Sequence, residues 1–448
     1  MAASLLAGAP VVAQSAHFFI ADVLLSTGAS VSILFAFRIV QRERGGWLDA
    51  LGMGVSWGIA MGSKPSGLFL LPGIALAYSL SRIPGRMGRL ATTCSVAVVL
   101  ALLGQPTLLV HGVRAFVYEG QFLHHLGVAA GTYLPPYTLQ FENTPAWTYY
   151  FTHLLWWGAG PPLMLLGCLG GIVALIYLVQ GWRQWQVEYH LGFTAVTCAV
   201  FGTFYLMSAG QRDKFTRYVL PLLPSLAILG SWFLVSLTKR LSMWLRSLIL
   251  IALVLVGLVP GVMYTRIYRH LDTRLQAAMW VERNIPAESF ICHEPDLGFA
   301  VPPVGLGGPS YGNTGSLEYQ GTLLDWGLLY WASDYVRQNQ SAPVVETSEM
   351  QSVRSRAQQQ LRVNSWLATC DWIILSDRFA DQFMPLPDEF EAIGTFYKDL
   401  LSNRHSEFHK VAEFRSLPGI LGFTVDDRRS ELTFRSFDHP TIWIFRRY

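Results

Sequence analysis

The sequence has little charge for its length. Only 14% of its 448 residues are Asp, Glu, Lys or Arg, whereas about a quarter of a soluble globular chain is charged. Long apolar runs fill residues 1 to roughly 264 and are missing from residues 265–448. This contrast excludes a uniformly soluble chain. It predicts a membrane domain over 1–264 and a soluble domain over 265–448.

Signatures of several other protein classes are also missing. There is no basic stripe and no zinc-ligand spacing, so no nucleic acid is expected as a partner. Residues 265–448 contain no nucleophile elbow, no P-loop and no paired metal ligands. The start "MAASLLAGAPVVAQSA" lacks the charged region of a signal peptide and is too short to cross a bilayer. We interpret it as the end of a helix whose beginning is missing.

Cysteine is scarce, with five residues in the chain. Cys94, Cys168 and Cys198 lie in apolar runs, where cysteine packs as a small hydrophobe. Cys292 and Cys370 each lie near a predicted strand of the soluble domain. A disulfide between them requires a location outside the cytoplasm, and two free buried thiols fit the sequence equally well.

Apolar segments, in contrast, are abundant, and about eight spans are predicted by length and hydropathy. They cover 18–38, 48–62, 66–81, 90–111, 152–179, 189–209, 216–238 and 245–264. The second and third spans are short and flank "GSKPSG". This break predicts two half-inserted or bent helices around Lys64.

Basic residues predict the orientation of these spans, because cytoplasmic loops are enriched in Lys and Arg. The basic loops alternate along the topology and contain Arg38, Arg42, Arg44, Arg82, Arg86, Arg89, Arg183, Lys239, Arg240 and Arg246. The opposite side receives residue 17, the Lys64 turn, the loops 112–150 and 210–215, and the C-terminal domain. We therefore expect an integral membrane protein with an extracytoplasmic C-terminal domain.

Ionisable residues gather at the outer ends of several spans. They are His17, Asp22, Lys64, Arg212, Asp213, Lys214 and Arg217. Charges in an apolar context are costly unless they have partners, so their grouping predicts a shared polar pocket for a charged ligand. Two structural interpretations compete with this one. Lys and Arg can simply snorkel to the interface, and Asp213 can pair with Arg217 along a helix.

The predicted outer loop 112–150 is rich in aromatic residues and proline. Such residues form interfacial belts or stack on sugar rings, and the sequence does not separate the two. A divalent metal held by His111, Glu119, His124 and His125 is weakly supported, because adjacent histidines rarely face one ion.

The C-terminal domain shows the alternation of an α/β fold. "TRLQAAMWVERNIPAESFICHE" predicts a helix, a turn and a strand. "CDWIILSDRF" and "TIWIFRRY" predict further strands, with helices near 350–369 and 388–403.

Five stretches together resemble a known family. They are "AHFFIADVLLS", "GIAMGSKPSGLFLLP", "YTLQFENTPAWTYYFTHLLWWGAGPPLMLLG", "KFTRYVLPLLPSLAIL" and "FDHPTIWIFRR". Their content and order resemble glycosyltransferase family 39, which includes the protein O-mannosyltransferases and the lipid A aminoarabinose transferases of the GT-C superfamily. The resemblance implies a polytopic GT-C-like membrane domain, here lacking N-terminal helices, followed by an extracytoplasmic α/β domain.

The resemblance also implies an activity and site residues. Members of the family transfer a sugar from a polyprenyl-phosphate carrier to a protein, lipid or glycan acceptor at the outer face of the membrane. Positive charge must stabilise the leaving phosphate, and the candidates are Lys64, Arg212, Lys214 and Arg217. Arg217 with Tyr218 matches the family's "RY" pair, and His17 and Asp22 match polar positions that orient donor or acceptor.

One departure from the family pattern concerns the catalytic base. The family's base is an acidic residue in the first outer loop, which here would lie upstream of Met1. The catalytic residue is therefore unassigned, and the pattern does not support Asp22 in that role. Two hypotheses follow, a glycosyltransferase or a non-catalytic scaffold or accessory subunit that binds a partner. A transporter fits less well, because the helix break around Lys64 has no second copy.

Overall fold

The computed structural model describes residues 1–18, 20–41, 46–114, 117, 122–181, 189–294, 320–341, 343–344 and 346–448. Two compact units can be distinguished. The first comprises Met1–Leu123 and Pro145–Tyr264, and the second comprises His124–Thr144 and Thr265–Tyr448.

The first unit is helical throughout its described parts. Its α-helices are Ala2–Ala7, Pro10–His17, Ala21–Gln41, Trp47–Ser63, Leu71–Leu80, Arg86–Leu103, Pro106–Arg114, Ala146–Tyr149, Trp156–Gly158, Pro161–Gln180, Tyr189–Ala209, Leu223–Thr238 and Met243–Thr265, with 3-10 segments Pro65–Leu70 and Thr216–Leu222 and a π-helical turn Tyr150–Leu155. Six helical stretches among the described residues are long and apolar enough to span a membrane. The predicted polytopic membrane domain is thereby confirmed.

The two predicted short spans around Lys64 are also helical. The helix Trp47–Ser63 has 17 residues, and the apolar stretch Pro65–Leu80 is shorter than the six long ones. Both fall below the roughly 20 residues that an untilted crossing needs. They meet at the break that "GSKPSG" predicts.

Small residues set the helix packing of this unit. A Cβ atom on Gly28 would lie 2.7 Å from the backbone oxygen of Ser56 and 2.8 Å from the Cβ of Ala60. A Cβ on Gly230 would lie 3.1 Å from the backbone nitrogen of Gly167. Because lipid gives apolar helices no solvent-driven reason to associate, such close backbone approach supplies the dispersion contacts that hold them together.

Two predicted spans are interrupted, which corrects their boundaries. The predicted span 90–111 ends as a helix at Leu103 and resumes at Pro106. The predicted span 152–179 breaks at Gly160, whose φ of 79° is followed by Pro161 as the first residue of the next helix. Proline lacks the amide hydrogen that a continuous helix needs, and glycine alone tolerates this φ at low energy.

The second unit is an α/β fold around a five-stranded mixed sheet of order β2-β1-β3-β7-β4. Its strands are β1 (Phe290–His293), β2 (Gln320–Leu323), β3 (Trp372–Ser376), β4 (Phe408–Phe414), β5 (Gly419–Ile420), β6 (Phe423–Thr424) and β7 (Ile442–Arg447). Strands β2, β1 and β3 are parallel, and β7 runs antiparallel to β3 and β4. Strands β5 and β6 form a separate hairpin.

Helices cover both faces of the sheet. The α-helices of this unit are Phe122–Ala130 (whose first two residues belong to the first unit), Thr273–Asn284, Trp326–Ala332, Asp334–Asn339, Ser348–Ser352, Arg356–Thr369, Asp377–Phe383, Glu391–Leu401 and Leu432–Ser436, with 3-10 segments Pro136–Phe141 and Arg266–Arg269. Side chains alternate across β3, so that Ile373 packs into one core and Ile374 into the other. The predicted α/β domain is thereby confirmed.

Part of the predicted outer loop belongs to this second unit. Leu134 and Leu139 are 1% exposed and lie in the larger core. The backbone nitrogen of Leu134 donates to Oε1 of Gln340 at 3.0 Å, and Tyr335 donates to Glu142 at 2.6 Å. Residues 124–144 are thus a structural part of the C-terminal unit, which the sequence division at residue 264 did not anticipate.

Cys292 and Cys370 form a disulfide, with their Cα atoms 5.5 Å apart. This resolves the two alternatives that the sequence left open. The bond joins β1 to the residue that ends the Arg356–Thr369 helix, across 78 residues of sequence. Disulfides persist in oxidising compartments.

We expect alkylation without reductant to modify three cysteines in the purified, unfolded chain, and five after reduction, because Cys94, Cys168 and Cys198 are free. Replacing both Cys292 and Cys370 by serine should destabilise the second unit by about 2–4 kcal/mol, since the closed loop is long. Thermal unfolding in detergent measures this, with Cys198→Ser as the control. Modification of all five without reductant would contradict the disulfide.

Glu294 directly follows β1 and is completely buried. Its Oε2 accepts from the backbone nitrogen and hydroxyl of Ser376 at 2.7 and 2.9 Å, and its Oε1 accepts from Tyr397. Burial nevertheless raises the pKa of Glu294 to about 7, from an ordinary value of 4.5. The folded unit therefore retains this proton at pH values where the unfolded chain has lost it.

The stability that Glu294 contributes is then greatest below about pH 4.5 and declines as the pH rises toward 7. Glu294→Gln should remove most of this decline and stabilise the unit at pH 8 by on the order of 2 kcal/mol. Hydrogen exchange of β3 amides, corrected for intrinsic rates, measures the effect. Burial also raises the pKa of Asp377, to about 6. In the Glu294→Gln variant the free energy of unfolding therefore still depends on pH, in a lower pH range. The exposed Glu391→Gln is the matched control, and an equal change in both variants would refute the assignment.

Candidate functional site

The site is centred on Asp22, in the first turn of the Ala21–Gln41 helix. Asp22 is 5% exposed. Its Oδ1 accepts a hydrogen bond from Nζ of Lys64 at 2.6 Å, and its Oδ2 lies 3.9 Å from Nε of Arg217. A buried carboxylate requires such counter-charges, and the helix N-terminus also favours a negative group.

The position of Lys64 follows from the local sequence. Its backbone is extended (φ −156°, ψ 134°) between the Trp47–Ser63 helix and the 3-10 segment that starts at Pro65. A residue before proline is disfavoured in the helical region, so the helix ends here. Gly67 then allows a close return of the chain, because a Cβ there would lie 2.5 Å from the backbone nitrogen of Met61.

Aromatic rings surround the two cations. Nζ of Lys64 lies 4.4 Å from the ring centroid of Tyr218, and the guanidinium carbon of Arg217 lies 4.4 Å from that of Phe215. The hydroxyl of Tyr218 donates to Oδ2 of Asp213 at 2.7 Å. Cation–π contact and hydrogen bonding thus hold the "KFTRY" segment around the ion pairs.

A further hydrogen bond joins this segment to the Asp22 helix. The hydroxyl of Ser26, one turn after Asp22, donates to the carbonyl of Leu220 at 2.9 Å. The 3-10 segment Thr216–Leu222 therefore lies against the start of the Ala21–Gln41 helix. We call Asp22, Lys64, Arg217, Tyr218 and Asp213 the Asp22 cluster.

The Asp22 cluster corrects one sequence interpretation. Asp213 lies before the 3-10 segment, which begins at Thr216, so Asp213 and Arg217 do not share a helical turn. Arg217 instead reaches Asp22, from which it is separated by 195 positions in the sequence. The role of Phe215 was also missed, although its place between Lys214 and Arg217 is a signal that aromatic rings accompany the cations.

The remaining predicted site residues lie beside the Asp22 cluster in sequence. Lys214 is 4% exposed, and its Nζ donates to the carbonyl of Arg212 at 3.1 Å. Arg212 itself is half-buried. His17 is exposed at the end of the Pro10–His17 helix, and its ring packs edge-on against Phe18 at 5.0 Å.

The charges of this region are unbalanced. Lys64, Arg212, Lys214 and Arg217 are basic, whereas Asp22 and Asp213 are acidic, which leaves a formal charge of +2. The side chains of Lys64 and Arg217 keep 29% exposure each. Two pre-positioned, partly accessible cations with surplus positive charge suit an anion such as a phosphate group.

The predicted metal ligands are His111, Glu119, His124 and His125. Glu119 lies outside the described residues. The His124 ring packs on Tyr133, with centroids 4.5 Å apart, and lies 5.6 Å from that of His125. In the part of the chain that the structure describes, no three His, Cys, Asp or Glu side chains are grouped to hold a metal ion.

We expect Asp22→Asn to destabilise the first unit by about 1–3 kcal/mol, because it leaves Lys64 without its closest counter-charge. The loss should be smaller in a Lys64→Met background, with a coupling energy of about 1 kcal/mol. Thermal unfolding of the four proteins in detergent measures the coupling. Additive effects would mean that the ion pair contributes nothing to stability.

Comparison with known proteins finds a family match over the N-terminal part of the chain. Residues 1–111 match the family model described as dolichyl-phosphate-mannose-protein mannosyltransferase. No curated protein and no solved structure matches the chain. Asp22 and Lys64 lie inside the matched residues, whereas Arg217 and Tyr218 lie outside them. The match and the six membrane-length helices support a membrane glycosyltransferase, and over residues 1–111 the predicted resemblance to this mannosyltransferase family is confirmed.

Proposed function

We propose that this chain transfers a sugar from a polyprenyl-phosphate carrier to a protein, lipid or glycan acceptor at the outer face of a bacterial inner membrane. The observation that carries the proposal is the Asp22–Lys64–Arg217 arrangement, at 2.6 and 3.9 Å, of which Asp22 and Lys64 lie within the residues that match the mannosyltransferase family model.

Sugar transfer from such a carrier breaks the bond between the anomeric carbon and the phosphate oxygen. The carrier phosphate leaves with the bonding electrons, while the acceptor oxygen forms the new glycosidic bond and gives up its proton. We assign Lys64 and Arg217 to the developing negative charge on the phosphate, because both are accessible and already oriented. Arg212 and Lys214 add positive potential, and Tyr218 orients the ammonium of Lys64.

Asp22 has a positioning role in this proposal. Both of its oxygens face cations, so it holds Lys64 and Arg217 in place and is poorly arranged to take a proton from an acceptor. His17, exposed before the same helix, is assigned to contact with the sugar or the acceptor. We assign no general base among the described residues.

The disulfide supports the orientation. Cys292–Cys370 fits an oxidising compartment, and the positive-inside rule assigns the Arg82, Arg86, Arg89, Lys239 and Arg240 loops to the cytoplasm. Both arguments favour an extracytoplasmic second unit, formed by residues 265–448 together with 124–144.

The test is transfer from radiolabelled polyprenyl-phosphate mannose by the purified chain in proteoliposomes, with native membrane extract as the acceptor source. Lys64→Met and Arg217→Gln should each lower kcat/KM by roughly a hundredfold, the range for loss of one preorganised electrostatic contact. Both should also weaken binding of sugar-free undecaprenyl phosphate, measured separately.

Matched controls separate site effects from stability. Asp49, 2% exposed, pairs with Arg38 at 2.8 Å, so Asp49→Asn removes a comparable ion pair elsewhere in the same helices. It should change transfer by less than about threefold, as should the exposed Arg240→Ala. Transfer unchanged in both site variants would refute the site. Binding of undecaprenyl phosphate without transfer by the unmodified chain would favour a non-catalytic lipid-binding subunit.

A further inference from the structure

The second unit carries a small hairpin that the proposed function does not use. Gly419 pairs with Thr424 and Ile420 with Phe423, which leaves a two-residue turn at Leu421 and Gly422. The φ angles of these turn residues are 49° and 90°, as in a type I′ turn. Asparagine and glycine suit such a turn, whereas a leucine in the left-handed region is unfavourable.

The apolar side chains of this hairpin face outward. Leu421 is 93% exposed, Phe423 is 76% exposed and Val425 is 40% exposed. Neither turn geometry nor solubility explains a leucine at the tip of an exposed hairpin with a phenylalanine beside it. Grouped apolar side chains at a surface mark a contact site.

The hairpin stem is held firmly. Asp426 accepts from Arg415, before the hairpin, at 2.5 Å and from Arg428, after it, at 2.6 Å. These charge-assisted bonds join the two ends of the stem. The tip is thus a projecting, supported element.

The connection between the hairpin and the last membrane-length helix indicates the surroundings of the hairpin tip. The hairpin packs against the 3-10 segment Arg266–Arg269, where the guanidinium of Arg266 lies directly on Gly419. Arg266 is the residue that follows Thr265, the end of the last membrane-length helix. The hairpin therefore packs against the residue that directly follows the last membrane-length helix.

The charged residues around the hairpin also favour a membrane surface as its neighbour. Arg415, Arg428 and Arg429 flank the hairpin, and Arg428 and Arg429 are exposed. Apolar side chains flanked by basic ones are the pattern of segments that enter the interfacial region of a bilayer containing anionic lipid. We propose that the hairpin tip, Leu421 and Phe423, inserts into the headgroup region of the membrane and anchors the second unit there. This proposal is independent of the glycosyltransferase assignment.

The test uses the full chain in nanodiscs of phosphatidylcholine and phosphatidylglycerol, with Cys94, Cys168 and Cys198 replaced by alanine and the disulfide intact. A nitrobenzoxadiazole label is attached at Leu421→Cys or at Leu361→Cys. Leu361 is the matched control, an apolar residue 67% exposed on the Arg356–Thr369 helix. Spin-labelled lipid should quench the label at 421 at least about threefold more than the label at 361.

Two other results would overturn the proposal. Equal quenching with a water-like emission at 421 would mean that the tip is solvated. A blue-shifted emission without lipid quenching would mean that a protein covers it.

Nanodiscs of phosphatidylcholine alone should reduce the quenching at 421, since the arginines then lack anionic partners, and no reduction would remove the arginines from the proposal.

A second variant keeps the test independent of folding. Leu421→Asn suits the type I′ turn and so preserves the hairpin while removing its most exposed apolar side chain. With the label at Phe423→Cys, this change should lower lipid quenching by at least about twofold. Unchanged quenching in a chain that retains its disulfide would contradict insertion of the tip.

Discussion

The ion pair between Asp22 and Lys64 is the contact on which the organisation of the membrane unit depends. A lone carboxylate or ammonium among apolar helices is strongly unfavourable, so each of these residues requires the other. Their 2.6 Å contact joins the start of one long helix to the break between two short ones. Pro65 sets the position of that break, and Asp22 gives the lysine at the break a partner.

Arg217 extends this pair into a three-helix junction. It approaches the second oxygen of Asp22, while Ser26 binds the backbone of the same 3-10 segment. Aromatic rings fill the space around the cations where further carboxylates would have cancelled their charge. The junction is therefore stabilised without becoming neutral. The proposed phosphate site requires this combination, which a purely structural salt bridge does not.

Hydropathy was sufficient to predict the membrane unit, because bilayer thickness imposes a length that sequence reveals directly. Grouping of Asp22, Lys64 and Arg217 was also predictable, since each lay near the end of a span. The pairing was not, because it joins residues 42 and 195 positions apart whose approach depends on helix packing. Leu134 and Leu139 show the same limit, since an apparent surface loop contributes to a core whose other residues lie in 290–445. Strand β2 and the hairpin of β5 and β6 were not predicted, because neither contains a long apolar run.

In the proposed orientation, the cations of the Asp22 cluster lie at the outer surface, against the usual distribution of charge in membrane proteins, which concentrates Lys and Arg on the cytoplasmic side. Such residues require a specific reason to persist at the other surface. Internal partners hold them: Asp22 for Lys64 and Arg217, and the rings of Tyr218 and Phe215 above them. These partners neutralise only part of the charge and leave the side chains of Lys64 and Arg217 partly exposed. A phosphate arriving at this point would meet donors that are already ordered, so little conformational entropy would be lost on binding. In the proposed site, the same acid that makes the cations tolerable in the membrane would also hold them in position for an anion.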